Sequence, residues 1–209
     1  MLSEANKEEI ETIKKEATIL SKIKNDYIVK YYDSFIDKNS FNIIMEFCDG
    51  LDLRKLLEEY KNKNKHLDEK IIYNYIFELC LGLKEIHNNN LIHRDLKPEN
   101  IFLNKDNKIK IGDFGISTIL NSTKYASSKV GTLNYMSPEI IKGEKYNNKI
   151  DIWALGCIIY ELCTLNRCFE NINLFALCNQ IINKEHGKID LNIYNQNLQN
   201  LIDLLLKKI

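Results

Sequence analysis

The sequence predicts an α+β fold, in which a small part with one helix and a strand hairpin precedes a larger, mainly helical part. Three observations carry this reading. Apolar residues recur at helical spacing near the start of the chain, two β-branched and aromatic runs meet at a turn-like segment, and nearly everything that follows has helical period or is irregular.

In order along the chain, Ile10, Ile13, Ala17, Leu20 and Ile23 stand at three- and four-residue steps among Lys and Glu, so the spacing predicts an amphipathic helix from about Ser3 to Lys24. "YIVKYYDSF" and "FNIIMEF", joined by "IDKNS", predict a hairpin. Helical period returns from about Leu53 to Tyr60 and from Glu69 to His87, where "HNNN" ends it. Two short strand-like pieces, "NIFLN" and "KIKIG", flank the turn "KDN". Asp113 to Pro138 is polar and irregular, too long for a plain connector, and is expected to be a functional loop. Further helices are expected at about Lys149 to Thr164, Leu174 to Asn183 and Leu198 to Lys208.

The chain of 209 residues is 44% hydrophobic and 28% charged, enough for a sizeable core and unlike a disordered sequence. Lys plus Arg and Asp plus Glu both number 29, so there is no basic field for nucleic acid. The longest apolar run, around "ALGCIIY", is too short for a bilayer, and "MLSEANKEEI" lacks the apolar stretch of a signal peptide. The six cysteines have no CxxC spacing, which predicts reduced thiols in a cytoplasmic or nuclear protein. Only three arginines occur, Arg54, Arg94 and Arg167, so each invites inspection.

The chemistry concentrates in "LIHRDLKPEN", Leu91 to Asn100. Asp95 is followed by Lys97 and Asn100 on a segment that Pro98 keeps out of helix, and "DFG" begins at Asp113. Phosphoryl transfer from ATP needs a carboxylate to orient the attacking hydroxyl, hard oxygen ligands for Mg²⁺ and a cation near the γ-phosphate. Asp95, the pair Asn100 and Asp113, and Lys97 have those chemistries.

At these residues the chain resembles the eukaryotic serine/threonine protein kinases. A chance match of eight positions is on the order of 10⁻¹⁰ per window. The resemblance implies a two-lobed fold with ATP and Mg²⁺ between the lobes, transfer of the γ-phosphoryl to Ser or Thr of protein substrates, and Asp95, Lys97, Asn100 and Asp113 as the catalytic set. Asn100 and Asp113 would hold the metal. In "IIMEFCDGLDL" Met45 would be the gatekeeper, the backbone of Glu46 and Cys48 would bond adenine, Asp52 would face the ribose, and Phe102 would pack on the adenine face. Glu16 corresponds to the glutamate of the family's αC helix, Arg94 would reach the activation loop, Ser128 would be a phosphosite, and Thr132 would lie in the loop that receives the substrate. His93 and Trp153 would be core, and Asp151 of "DIWALG" would tie to the catalytic-loop backbone. "VGTLNYMSPE" departs from the family's GTxxYxAPE at Ser137. "IGDFGIS", "YMSPEI" and "YELCTL" further resemble the never-in-mitosis-A (NIMA) related kinases.

No GxGxxG loop occurs, and the lysine that pairs with Glu16 would precede Met1. The resemblance therefore implies a partial domain over 1–209. Residues 1–47 would be a truncated small lobe with only the αC helix and the family's fourth and fifth strands, and 48–209 a large lobe lacking its last helix. A hairpin with an uncovered apolar face, poor solubility, and a Glu139 without its usual arginine are the physical expectations. An incomplete active kinase is the first reading, and a truncated pseudokinase serving as a protein-binding module is the alternative.

Overall fold

The structure, a computed structural model, describes residues 21–37, 40–112 and 130–208. The expected first helix and Glu16 lie almost wholly outside these residues. At its described end Ser21 and Lys22 form a turn and Ile23 enters the core, so the helical expectation does not extend to Lys24. Asn25 explains the break, because its side-chain oxygen accepts from the Tyr27 amide at 2.8 Å and competes with helix.

The hairpin pairs β1 (Tyr31–Asp37) with β2 (Ser40–Met45), antiparallel, from Tyr31↔Met45 to Asp37↔Ser40, with a bulge between Tyr31 and Asp33. The strand begins four residues later than its β-branched run. Tyr27 to Val29 pair elsewhere, the Ile111 amide donating to the Tyr27 carbonyl at 2.8 Å and the Val29 amide to the Ile111 carbonyl at 2.9 Å.

Helix α1 (Leu53–Asn62) starts at Asp52, whose side chain accepts from the Lys55 amide, and buries Leu53 and Leu57 one turn apart. Asp68 caps α2 (Glu69–Asn88) in the same way. Ile72, Ile76, Leu79, Leu83 and Ile86 then form the buried stripe expected from the sequence. After α2 come β3 (Ile101–Leu103) and β4 (Ile109–Ile111), paired antiparallel as Ile101↔Ile111 and Leu103↔Ile109. The Ile109 amide donates to the Glu78 carboxylate at 2.8 Å and so ties this small ribbon to α2.

The end of the expected functional loop is structured where it is described. Val130–Tyr135 is a 3₁₀ helix and α3 is a single turn, Pro138–Ile141, which begins with the proline that a helix tolerates only in its first turn. Helix α4 (Lys149–Thr164) is apolar nearly all round and accordingly buried nearly all round. It meets α6 (Gln196–Leu205) closely: a Cβ at Gly156 would stand 2.9 Å from Leu205 Cβ. Helix α5 (Leu174–Asn183) matches its expected bounds. The last helix starts two residues earlier and stops three residues earlier than the apolar pattern suggests, because Asn195 caps it by accepting from the Asn197 and Leu198 amides. One continuous core runs from Ile28 and β4 through α2 and α4 to Leu206.

Candidate active site

The segment from Leu91 to Asn100 is irregular backbone as far as Lys97, ends in a 3₁₀ turn over Pro98–Asn100 and is held by α4. Asp151, almost completely buried in the first turn of that helix, accepts from the His93 amide at 2.9 Å and the Arg94 amide at 3.0 Å. His87, on the last turn of α2, donates from Nε2 to the same carboxylate at 2.8 Å. These bonds satisfy amides that no regular ladder serves. They also hold Arg94 in the left-handed region, at φ 69°, where a residue with a Cβ is strained unless its surroundings fix it.

His93 is fully buried. Its Nε2 donates to the Gly112 carbonyl at 2.9 Å, which leaves Nδ1 to accept from the Asp95 amide at 3.4 Å. His93 is therefore a core brace between the Leu91–Asn100 segment and the residue preceding Asp113. Asp113 itself, Phe114 and Ser128 lie outside the described residues. The backbone of Thr132 falls in the 3₁₀ helix that begins at Val130.

Asp95, Lys97 and Asn100 converge. Lys97 Nζ stands 2.6 Å from Asp95 Oδ2, while Asn100 Nδ2 donates to the Asp95 carbonyl at 2.8 Å and to Oδ2 at 3.1 Å. Lys97 is extended and Pro98 opens a 3₁₀ turn that brings Asn100 back, its amide donating to the Lys97 carbonyl at 3.0 Å. The Asn100 carbonyl in turn accepts from the Gly112 amide at 2.9 Å, which ties the turn to the start of the Asp113 segment. With Nδ2 committed to Asp95, the side-chain oxygen is the Asn100 atom whose chemistry suits a cation. An amide oxygen is a hard donor of the kind Mg²⁺ accepts, while Asp113, the carboxylate expected to join it, lies outside the described residues.

The segment after β2 carries the other expected site residues. The Glu46 amide donates to the Lys30 carbonyl at 2.8 Å. Gly50 permits a close approach to β3, because a Cβ there would collide with the Leu103 carbonyl oxygen, to which the Gly50 amide donates at 3.1 Å. Phe102 is half-buried with its ring against Gly112. The Asp52 carboxylate is engaged on both oxygens, capping α1 at the Lys55 amide and pairing with Lys55 Nζ at 3.1 Å. Half-buried Cys48 has its thiol pushed up by burial, with Glu46 adding to the effect.

A polar knot that the sequence does not reveal underlies the Leu91–Asn100 segment. Arg54 donates to Glu99 at 2.9 Å, to Glu161 at 2.7 Å and to the Tyr135 hydroxyl at 2.5 Å, and that hydroxyl donates to Glu161 at 2.5 Å. It joins α1, the turn after Lys97, the Val130–Tyr135 segment and α4. Burial works against the Arg54 charge, yet the Glu161 carboxylate more than offsets it and holds the guanidinium above its ordinary value. Burial, then Glu161, push the Tyr135 phenol well up. The scarcity of arginine was the one signal in the sequence that pointed here.

A small, partly open pocket with room for little more than a water molecule lies beside Asp95, lined among others by Tyr135, Met136, Ser137 and Ile140. Ser137 is buried, and its hydroxyl has no hydrogen-bond partner among the described residues. Glu139 is only half-buried, so the large penalty expected for a buried carboxylate without its arginine does not arise. No helix among the described residues is long and apolar enough to cross a membrane.

The protein kinase domain model matches residues 1–208. The chain is 42% identical to the probable serine/threonine-protein kinase nek2 of Dictyostelium discoideum over 91% of its own length and 47% of that protein. It is 39% identical to the mouse serine/threonine-protein kinase Nek1 over 99% of the chain and 17% of that protein. With the human serine/threonine-protein kinase Nek5 the identity is 41% over 95% of the chain and 28% of that protein. The chain thus spans less than half the length of these relatives, all of the NIMA-related group that its motifs resemble. The family accounts for the convergence of Asp95, Lys97 and Asn100 on a loop anchored by Asp151: this chain belongs to the protein kinases.

Proposed function

We propose that this chain carries a serine/threonine kinase activity, transferring the γ-phosphoryl of ATP to Ser or Thr hydroxyls of proteins in a cleft between the part up to residue 47 and the part from residue 48. The observation that carries the reading is the Asp95–Lys97–Asn100 cluster, three chemically distinct groups within hydrogen-bond reach of one another.

Asp95 orients the acceptor hydroxyl and takes its proton as the new O–P bond forms and the bond to the β-phosphate bridging oxygen breaks, releasing ADP. Lys97, now paired with Asp95, offers its ammonium to the γ-phosphate oxygens. Asn100 and Asp113 are the residues assigned to Mg²⁺, which when bound supplies neutralisation of phosphate charge. The backbone of Glu46 and Cys48 would meet adenine, Phe102 its face and Asp52 the ribose. The small pocket beside Asp95 is proposed only as the point where the acceptor hydroxyl approaches that carboxylate. Glu16, Arg94, Ser128 and Thr132 are proposed to regulate or receive substrate.

The test is incorporation of labelled phosphate from Mg²⁺·ATP into a generic Ser/Thr substrate by the purified protein, wild type against Asp95→Asn. Loss of a general base costs on the order of 10²–10⁴ in rate. Equal incorporation by both proteins would sink the assignment.

A further inference from the structure

Lys110, on β4, is a buried lysine in a strand that is buried at all three of its residues. Lysine is almost never buried without a partner. Here the partner is Glu46, whose Oε2 stands 2.9 Å from Lys110 Nζ and also accepts from the Lys30 amide at 3.0 Å. One carboxylate thus joins three segments: the chain entering β1, the chain leaving β2, and β4.

The same three segments are cross-linked by backbone. The Glu46 amide donates to the Lys30 carbonyl, the Val29 amide donates to the Ile111 carbonyl, and the Ile111 amide donates to the Tyr27 carbonyl. Glu46 is held below the ordinary carboxylate range, burial raising it and the Lys30 amide with the Lys110 ammonium prevailing. The lysine side of the pair is shielded from water, where Coulomb attraction is least screened.

We propose that Lys110 is a positioning residue for nucleotide: its ion pair with Glu46 latches the segment after β2 onto β4 and fixes the backbone groups of Glu46 and Cys48 that adenine would meet. The proposal rests on the kinase reading above. Without the latch the adenine edge would be met by backbone that wanders, and small misplacements of binding groups are costly. Lys110 reaches neither Asp95 nor the acceptor site by any described contact, so its loss should act on nucleotide affinity and leave the transfer step alone.

The experiment combines two readouts on the whole protein for wild type, Lys110→Met, Glu46→Gln and the double variant. Titration with Mg²⁺·ATP should show affinity weakened on the order of tenfold in each single variant, and no further in the double, because the two residues act as one unit. In turnover, KM for ATP should rise while kcat holds. Hydrogen exchange at the Glu46, Val29 and Ile111 amides should quicken in both single variants, whether or not nucleotide binds. If the wild type binds no Mg²⁺·ATP, the kinase reading fails on that arm alone, and exchange decides whether the latch exists. Unchanged exchange, additive losses in the double variant, or a fall in kcat with KM held would each overturn the proposal. Should Lys110→Met fail to fold, the isosteric Glu46→Gln variant carries the same comparison.

Discussion

The Leu91–Asn100 segment and the β1–β2 hairpin are held by different kinds of contact. His93 to Asn100 is clamped by buried polar groups from distant elements: Asp151 on two amides, Gly112 on His93, and the Arg54 knot beneath Glu99. Among the described residues the hairpin is held by its own ladder and its flanks by a few links to β4, and hairpin and following segment leave Tyr32, Phe35, Ile44 and Phe47 open, the last at 88% exposure. A site that must present charges at fixed separations needs buried polar anchors. A two-stranded ribbon at the surface can rest on strand pairing and one ion pair.

That contrast can be broken most forcefully at Arg54. Arg54→Met would leave the buried Glu161 carboxylate without its cation and should cost about 3–5 kcal/mol of unfolding free energy in urea titration. A loss under about 1 kcal/mol would show that the knot is not an anchor. Leu83→Ala, in the buried stripe of α2, should cost about 2–5 kcal/mol by cavity formation, and the same titration measures it.

Tyr135→Phe probes one bond of the knot while keeping its packing. The expected loss is about 1–2 kcal/mol, because Glu161 retains Arg54 and forfeits the phenol. At the other extreme, Phe35→Ser on the hairpin should change unfolding free energy by no more than about 0.5 kcal/mol, Phe35 being 48% exposed. It should also slow self-association in light scattering if the open apolar face drives it. A stability loss comparable to that of Leu83→Ala would mean that the hairpin is packed as firmly as the large part, and the contrast would fall.

Much of this was legible in the residues. The bounds of α5 and of α4, the stripe of α2 and the paired pieces around Lys105 to Asn107 follow from period, caps and turn chemistry that are local in sequence. Less legible were ends set by a cap or by pairing elsewhere. Asn195 draws α6 toward the N-terminus, and β1 starts late because Tyr27 and Val29 serve Ile111. At the site, the motif identified Asp95, Lys97 and Asn100 as a set, and the structure brings them within bonding distance.

The sequence by itself determined the order of helices and strands and the family, because hydrophobic period, turn residues and motif spacing are properties of short stretches of chain. Only the tertiary structure decided who pairs with whom among the charges. Arg54 meets Glu161 across 107 positions and Lys110 meets Glu46 across 64, and neither partner could be read from its neighbours. Ion pairing depends on distance through space and on the water that folding removes, and both exist only once the chain has closed.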